Sequence, residues 1–182
     1  MFSCDISHLE YDVALAQLSG ALVDPNHISC QIEFEADHSQ SKIIRDFVGM
    51  VFDIHHIDSL WKGRFILITD ELINNAIEHG SQKWDIDSCM IEAHIDWEYG
   101  LAISLEVHDT GRWKDAKGAT HMETLRTARQ VDEDTQHGIY MEKRGRGLFY
   151  IIEKLVDRLS FTSSPKWGLA VKIEKYIKPL EK

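Results

Sequence analysis

Two residues in the middle of the chain have the types and spacing needed to handle a charged ligand. Glu71 and Asn75 lie four positions apart, so on a helix they share one face. A carboxylate and an amide oxygen stacked in this way could bind a hydrated Mg²⁺ or orient a nucleophile. The same spacing is also typical of an exposed polar stripe on a surface helix. The pair alone is therefore more typical of a polar surface stripe than of a binding site.

A second candidate is the sequence Asp109-Thr110-Gly111, which directly follows an alternating strand pattern. A carboxylate held at the end of a sheet could accept a hydrogen bond from a buried amino group of a ligand. Asp-x-Gly also forms ordinary turns, in which Asp hydrogen-bonds its own backbone and Gly takes a positive φ. Taken singly, this segment is therefore also more typical of the structural alternative, an ordinary turn.

A third candidate surrounds Gly145 and Gly147, immediately before a predicted helix. Glycines let a backbone approach a ligand closely, and a helix N-terminus offers free N–H groups to phosphate. Three cations lie in the same turn, namely Lys143, Arg144 and Arg146. The spacing matches neither the dinucleotide fingerprint nor the P-loop. A plain loop-to-helix cap is the alternative interpretation.

The hydropathy pattern predicts the elements that must position these three segments. It predicts a strand over 28–36, helices over 43–52 and 59–76, a hairpin over 89–107, a helix from Gly147, and strands on both sides of 163–168. Ser39 or Ser41 is expected to cap the first helix, and Gly80 to follow the second as its C′ glycine. The long polar interval before Arg144, with a possible helix near Leu125, is typical of a lid. This order predicts an α+β fold, with helices on one face of a largely antiparallel sheet.

The composition limits the functions that this chain could have. It has 182 residues, the length of one domain, and a formal net charge of −10. The acidic excess argues against nucleic-acid binding, whereas it suits a protein that docks on basic partners. The three cysteines are far apart and form no C-x-x-C pair, which fits a reducing compartment. No stretch resembles a membrane span or a signal peptide, so we expect a cytoplasmic protein without membrane contact.

In chain order, the segments form a helix with Glu-x-x-x-Asn, a strand ending in Asp-x-Gly, a lid, and Gly-x-Gly-Leu at the start of a helix. This order resembles the N box and the two glycine boxes of the ATPase superfamily that includes gyrase, histidine kinases and MutL. The chain most resembles the bacterial anti-sigma-factor serine kinases, through Glu-Leu-x-x-Asn-Ala-x-x-His-Gly at 71–80 and Gly-x-Gly-Leu-Phe-x-Ile at 145–151. The resemblance covers about 29–178. It implies a Bergerat-type two-layer α/β sandwich with a mixed, mostly antiparallel sheet.

The resemblance also implies a role for each matching residue. Glu71 would be the general base that deprotonates a serine hydroxyl or a water, and Asn75 would ligate Mg²⁺. Asp109 would accept a hydrogen bond from the adenine amine, and Gly111 would keep the turn open beneath the base. The residues that would wrap and neutralise the triphosphate are Lys143, Arg144, Gly145, Arg146, Gly147 and Leu148. Such phosphoryl transfer depends on positioning and electrostatics.

The function implied by the resemblance is that of a Mg²⁺-ATP-dependent serine/threonine kinase acting as an anti-sigma factor. Its partners would be a sigma factor and a small anti-anti-sigma protein of the STAS type, and it could form a homodimer. One alternative is a non-catalytic, ATP-gated interaction module. A histidine-kinase-type catalytic domain is less favoured, because no phospho-acceptor helix is recognised in the first 28 residues. We therefore divide the chain into an N-terminal extension of unknown role, 1–28, and an ATPase domain, 29–182.

Two positions depart from the pattern of the resembled family. Trp113 occupies the place of the second glycine in the common Asp-x-Gly-x-Gly box, which alters the expected hinge of the lid. Gly168 is followed by Leu169 and Ala170, where many relatives have a threonine. This second departure removes a polar contact expected near adenine. Neither departure affects Glu71 or Asn75.

Overall fold

The computed structural model describes residues 1–55, 59–96, 100–114, 116–135, 152, 154–164 and 168–178. Its six strands are β1 (Phe2–Asp5), β2 (His27–Glu35), β3 (Ile86–Asp96), β4 (Gly100–His108), β5 (Arg158–Ser163) and β6 (Leu169–Ile177). They form one sheet in the order β1-β2-β3-β4-β6-β5. The β1–β2 pair is parallel, and the other four pairs are antiparallel. The predicted α+β fold with a mixed, mostly antiparallel sheet is confirmed.

The register of the strands explains why one face of the sheet is apolar. Ile32 is paired with Cys89, Cys89 with Val107, and Val107 with Val171. All four side chains are buried, so one apolar row crosses four strands. Because side chains alternate along each strand, polar residues occupy the opposite face. The predicted hairpin is formed by β3 and β4, and the predicted last pair of strands is formed by β5 and β6.

In the described ranges the sheet is accompanied by the α-helices α1 (Tyr11–Leu18), α2 (His38–Ile54), α3 (Ser59–Asn75) and α4 (Ala119–Thr135). Buried residues of the first three helices join the same core as the apolar face of the sheet. The cap of α2 differs from the prediction, because the side chain of Asp37 accepts from the Ser39 backbone N–H at 2.9 Å. Asp37 has the extended backbone that a cap needs. Ser41 lies inside the helix and donates its hydroxyl to Asp70 at 2.9 Å.

The first 28 residues belong to the same folded unit as the rest of the chain. β1 adds a parallel strand beside β2, with Cys4 opposite Ile32. The side chains of Ile6, Ala14 and Leu18 are fully buried in the common core. The apolar spacing of Val13, Leu15, Leu18 and Leu22 is compatible with a short amphipathic helix such as α1, whereas no pattern in the sequence indicates β1. This segment, whose role the sequence leaves unknown, therefore packs on the rest of the domain.

The predicted lid interval contains α4, so the possible helix around Leu125 is confirmed. The predicted helix from Gly147 lies outside the described residues, apart from a few positions near its end. Within the described part of the chain, no helix is both long and apolar enough to cross a membrane.

Candidate functional site

The Glu71–Asn75 pair lies on α3, beside the face of this helix that packs into the core. Leu72 and Ile73 are buried, whereas the two polar side chains are half-buried. The Asn75 side-chain nitrogen Nδ2 donates to Glu71 Oε1 at 3.1 Å. This hydrogen bond directs the amide oxygen Oδ1 of Asn75 away from Glu71. An oxygen held in this way fits a hard cation such as Mg²⁺, which prefers oxygen ligands.

The environment of Glu71 favours its protonated form more than water does. Burial raises the pKa of Glu71, and the nearby charges of Glu78 and Asp70 raise it further. The hydrogen bond from Asn75 and the proximity of His79 act in the opposite direction without cancelling the effect. A carboxylate with a raised pKa is a stronger proton acceptor at neutral pH. This property is the one required of a general base.

Asp109 directly follows β4, and two backbone N–H groups hold its carboxylate in place. Its exposed fraction is only 6%, and its Oδ1 atom accepts from the backbone N–H of Leu169 at 2.8 Å and of Gly111 at 2.9 Å. Gly111 has φ +67°, a left-handed conformation that favours glycine. Burial raises the pKa of Asp109, and the two backbone N–H groups oppose that shift. In the described part of the chain no group donates to Oδ2, which leaves this atom available to a ligand.

Two glycines leave room for the Asp109 carboxylate. A Cβ atom added at Gly80 would collide with Asp109 Oδ2, and one added at Gly168 would collide with Asp109 Oδ1 and with the backbone of Gly111. Gly80 is therefore needed for close approach, and the prediction of a C′ glycine is wrong. The chain after α3 continues as a π-helical turn, Ala76–Gly80. This turn is closed by a hydrogen bond from the Ser81 N–H to the Ala76 carbonyl at 2.9 Å.

A buried polar network, which sequence reasoning missed, fixes the turn after Asp109. Ser81 Oγ donates to Asp87 Oδ1 at 2.5 Å and accepts from the Thr110 backbone N–H at 3.0 Å. The Thr110 hydroxyl donates to Asp85 Oδ2 at 2.6 Å, and Arg112 donates to Asp85 Oδ1 at 3.0 Å. Burial alone would raise the pKa of Asp85, but these bonds and the arginine charge hold it below its usual value. The only sequence signal was a group of Ser and Asp residues between two strongly patterned elements.

The structure brings the first two predicted segments together. Gly80, which ends the 71–80 segment, contacts Asp109 directly, and the Trp113 N–H donates to the Gly80 carbonyl at 3.2 Å. The predicted phosphate-binding residues lie outside the described residues: Lys143, Arg144, Gly145, Arg146, Gly147 and Leu148. Among the described residues, no group of three or more His, Cys, Asp or Glu side chains could hold a metal ion. A cation at Asn75 would therefore need further ligands from phosphate oxygens and water.

Comparison with known proteins agrees with this geometry. A family model described as the histidine kinase-like ATPase domain matches residues 34–175, well over half of the chain. The chain belongs to the histidine kinase-like ATPase domain family. Membership of this family implies that the domain binds ATP. No curated protein was found to match the chain.

Proposed function

We propose that this protein is a Mg²⁺-ATP-dependent serine/threonine kinase that acts as an anti-sigma factor. In this role it phosphorylates an anti-anti-sigma protein of the STAS type and sequesters a sigma factor. The observation that carries the phosphoryl-transfer part is the Glu71–Asn75 pair, a carboxylate with raised pKa held 3.1 Å from an amide nitrogen. The partners rest on the subfamily resemblance of the 71–80 and 145–151 segments.

Each residue of the site has a separate task in this proposal. Asp109 Oδ2 accepts a hydrogen bond from the adenine amine, while its Oδ1 remains bound to the protein backbone. Asn75 Oδ1 would ligate Mg²⁺, and the ion would supply charge neutralisation at the phosphates. Glu71 removes the proton from the serine hydroxyl, whose oxygen attacks the γ-phosphorus as the bond to ADP breaks. The charged residues Lys143, Arg144 and Arg146 would stabilise the phosphate charge.

The charge balance of the chain supports a protein partner of opposite sign. A formal net charge of −10 leaves an acidic surface, which speeds association with basic surfaces and disfavours nucleic acid. This role would require a cytoplasmic location.

The proposed homodimer is checked by measuring the mass of the protein in solution by light scattering, with and without ATP.

The decisive experiment follows transfer of radiolabelled γ-phosphate to a STAS-type protein of the same genome. We expect Glu71→Ala to keep ATP binding and to lose transfer by about 100-fold or more, the usual contribution of a general base. Asp109→Asn should lose ATP binding itself, because the amide presents a donor where an acceptor is needed. Glu92→Gln, at an exposed position on β3 away from this site, is the matched control and should retain transfer. Transfer that survives Glu71→Ala would refute the role of Glu71.

One observation favours the alternative of a non-catalytic, ATP-gated interaction module. Trp113 replaces a glycine at the start of the lid interval, and the bulkier residue restricts backbone movement there. The two functions differ in one measurement. An ATP-gated module would bind ATP and its partner but transfer no phosphate, and Glu71→Ala would then leave partner binding unchanged.

A further inference from the structure

The turn between the π-helical segment and β3 contains a residue in an unusual backbone conformation. The Asp85 N–H donates to the Gln82 carbonyl at 3.0 Å, so Lys83 and Trp84 are the central residues of a tight turn. Trp84 has φ +73°, in the left-handed region where turns normally have glycine or asparagine. A bulky residue in this position strains the backbone. Glycine would adopt this backbone conformation without strain.

The side chain of Trp84 makes few contacts in the fold that could compensate for this strain. Its exposed fraction is 61%, and the Lys83 ammonium lies 4.5 Å from the centre of its ring. Neither feature requires a tryptophan for stability. Strained residues that the fold does not need are characteristic of functional sites. The exposed indole of Trp84 therefore indicates a functional role for this side chain.

A second exposed tryptophan lies on the adjoining turn. Trp113 has an exposed fraction of 41%. The two turns are joined by the hydrogen bond from Gln82 Nε2 to the Arg112 carbonyl at 3.0 Å and by the ion pair between Arg112 and Asp85 at 3.0 Å. Since these contacts fix one turn against the other, both indoles belong to one surface region next to Asp109.

This region is also basic, in contrast to the rest of the chain. The segment 112–117 contains three cations and one acidic residue, and the turn 82–85 adds one cation, Lys83, and one acidic residue, Asp85. These ten positions together carry a formal net charge of +2, whereas the whole chain carries −10. The side chains of Arg112 and Lys114 are exposed. We call the set Lys83, Trp84, Arg112, Trp113 and Lys114 the tryptophan–cation surface.

We propose that the tryptophan–cation surface docks an acidic segment of another protein that also carries apolar side chains. Lys83 and Lys114 complement the charge of such a segment, since Arg112 is already paired with Asp85. Exposed tryptophan is among the residue types that contribute most to protein interfaces. The strongly acidic remainder of the chain would repel a nucleic acid that extended beyond this surface. This docking does not depend on phosphoryl transfer and goes beyond the proposed function.

The test uses the full chain and a fluorescently labelled random copolymer of glutamate and tyrosine as the acidic, apolar probe. We expect the copolymer to bind, and to bind at least 5-fold more weakly when it is replaced by polyglutamate of equal length. Trp84→Gly and Trp113→Ala should each weaken binding about 10-fold or more. Tyr176→Ala is the matched control, because Tyr176 is also 41% exposed but lies on β6, outside this surface. This control should bind like the wild type.

A stability measurement separates docking from a structural role of Trp84. Because glycine relieves the strained backbone, Trp84→Gly should unfold about 2 °C above the wild type or higher while losing the probe. Unchanged copolymer binding by Trp84→Gly would overturn the proposal, as would an unfolding temperature several degrees below the wild type. Preferential binding of an oligothymidylate would also overturn it, in favour of nucleic acid. ATP binding, measured in parallel, tests the proposed function separately.

Discussion

The packing around Asp109 predicts that a single methyl group added at Gly168 damages both stability and ATP binding. A Cβ at this position would lie against Asp109 Oδ1, the Asp109 carbonyl oxygen and the Gly111 nitrogen. Two of these three atoms belong to the backbone and cannot rotate away. Gly168→Ala must therefore displace the carboxylate or separate β4 from β6.

The magnitude follows from the contacts that would be lost. Forcing a methyl group into a packed region costs about 1–3 kcal/mol. Displacing Asp109 also weakens its hydrogen bonds to the Leu169 and Gly111 N–H groups, each worth about 1.5–3 kcal/mol because the acceptor is charged. Partial relaxation leaves a net loss of about 2–4 kcal/mol, which lowers the unfolding temperature by about 5–12 °C for a chain of this size. The same substitution should also displace Asp109 Oδ2, the proposed acceptor for the adenine amine, and so weaken ATP binding at least 10-fold.

The same substitution at Gly63 provides the control. Gly63 lies inside α3, and a Cβ there would meet nothing within 4 Å. Gly63→Ala should raise the unfolding temperature by about 2 °C, since alanine favours helix by about 0.5–1 kcal/mol over glycine. Thermal unfolding and calorimetric titration with Mg²⁺-ATP measure both effects. If Gly168→Ala unfolds and binds ATP like the wild type, the described contacts around Asp109 are wrong.

Three further predictions follow from the titratable groups. The raised pKa of Glu71 means that folding disfavours its charge, so its contribution to stability falls as pH rises above its unfolded pKa. Glu71→Gln should therefore unfold at a higher temperature than the wild type at pH 7, with a smaller difference near pH 4; an unchanged difference would refute this. The lowered pKa of Asp85 has the opposite sign, so Asp85→Asn should destabilise the protein at pH 7, and denaturant unfolding should show this penalty shrinking as pH falls below about 4. Burial raises the pKa of Cys30 to about 12 and also raises the pKa of Cys4 and of Cys89. A thiol reagent at pH 8 should label none of the three cysteines in the folded protein and all three after unfolding, and fast labelling before unfolding would contradict their burial.

The fold was predictable for those elements in which the alternation of apolar and polar residues extends over many positions. β2 alternates over His27–Glu35 and pairs throughout its length with β3, so its period of two was visible in the sequence. β1 has four residues, too few to establish a period, and its pairing with β2 is a tertiary effect. The helix cap at Asp37 was missed because three candidate capping residues lie within five positions, and only the backbone conformation selects among them.

The residue types of the candidate site were predictable from the sequence, but the contacts that hold these residues in place were not. The spacing of Glu71 and Asn75 is sufficient to place them on one helix face, and the resemblance named Asp109. What the sequence does not show is that Gly80 approaches Asp109 from another element. Nor does it show that Ser81 and Thr110 share a buried network, because such contacts join residues 29 positions apart. Non-local contacts of this kind carry no local periodic signal.

The clamp on Asp109 also has a consequence for the order in which the chain becomes competent to bind ATP. The backbone N–H that holds the carboxylate belongs to Leu169, 60 residues further along the chain. α3, with Glu71 and Asn75, can form from local contacts early, whereas this clamp requires β6 to pair with β4. A chain still being synthesised would therefore have its candidate base and cation ligand long before it could hold adenine. ATP binding at Asp109 would then stabilise only those chains in which β6 has already paired with β4.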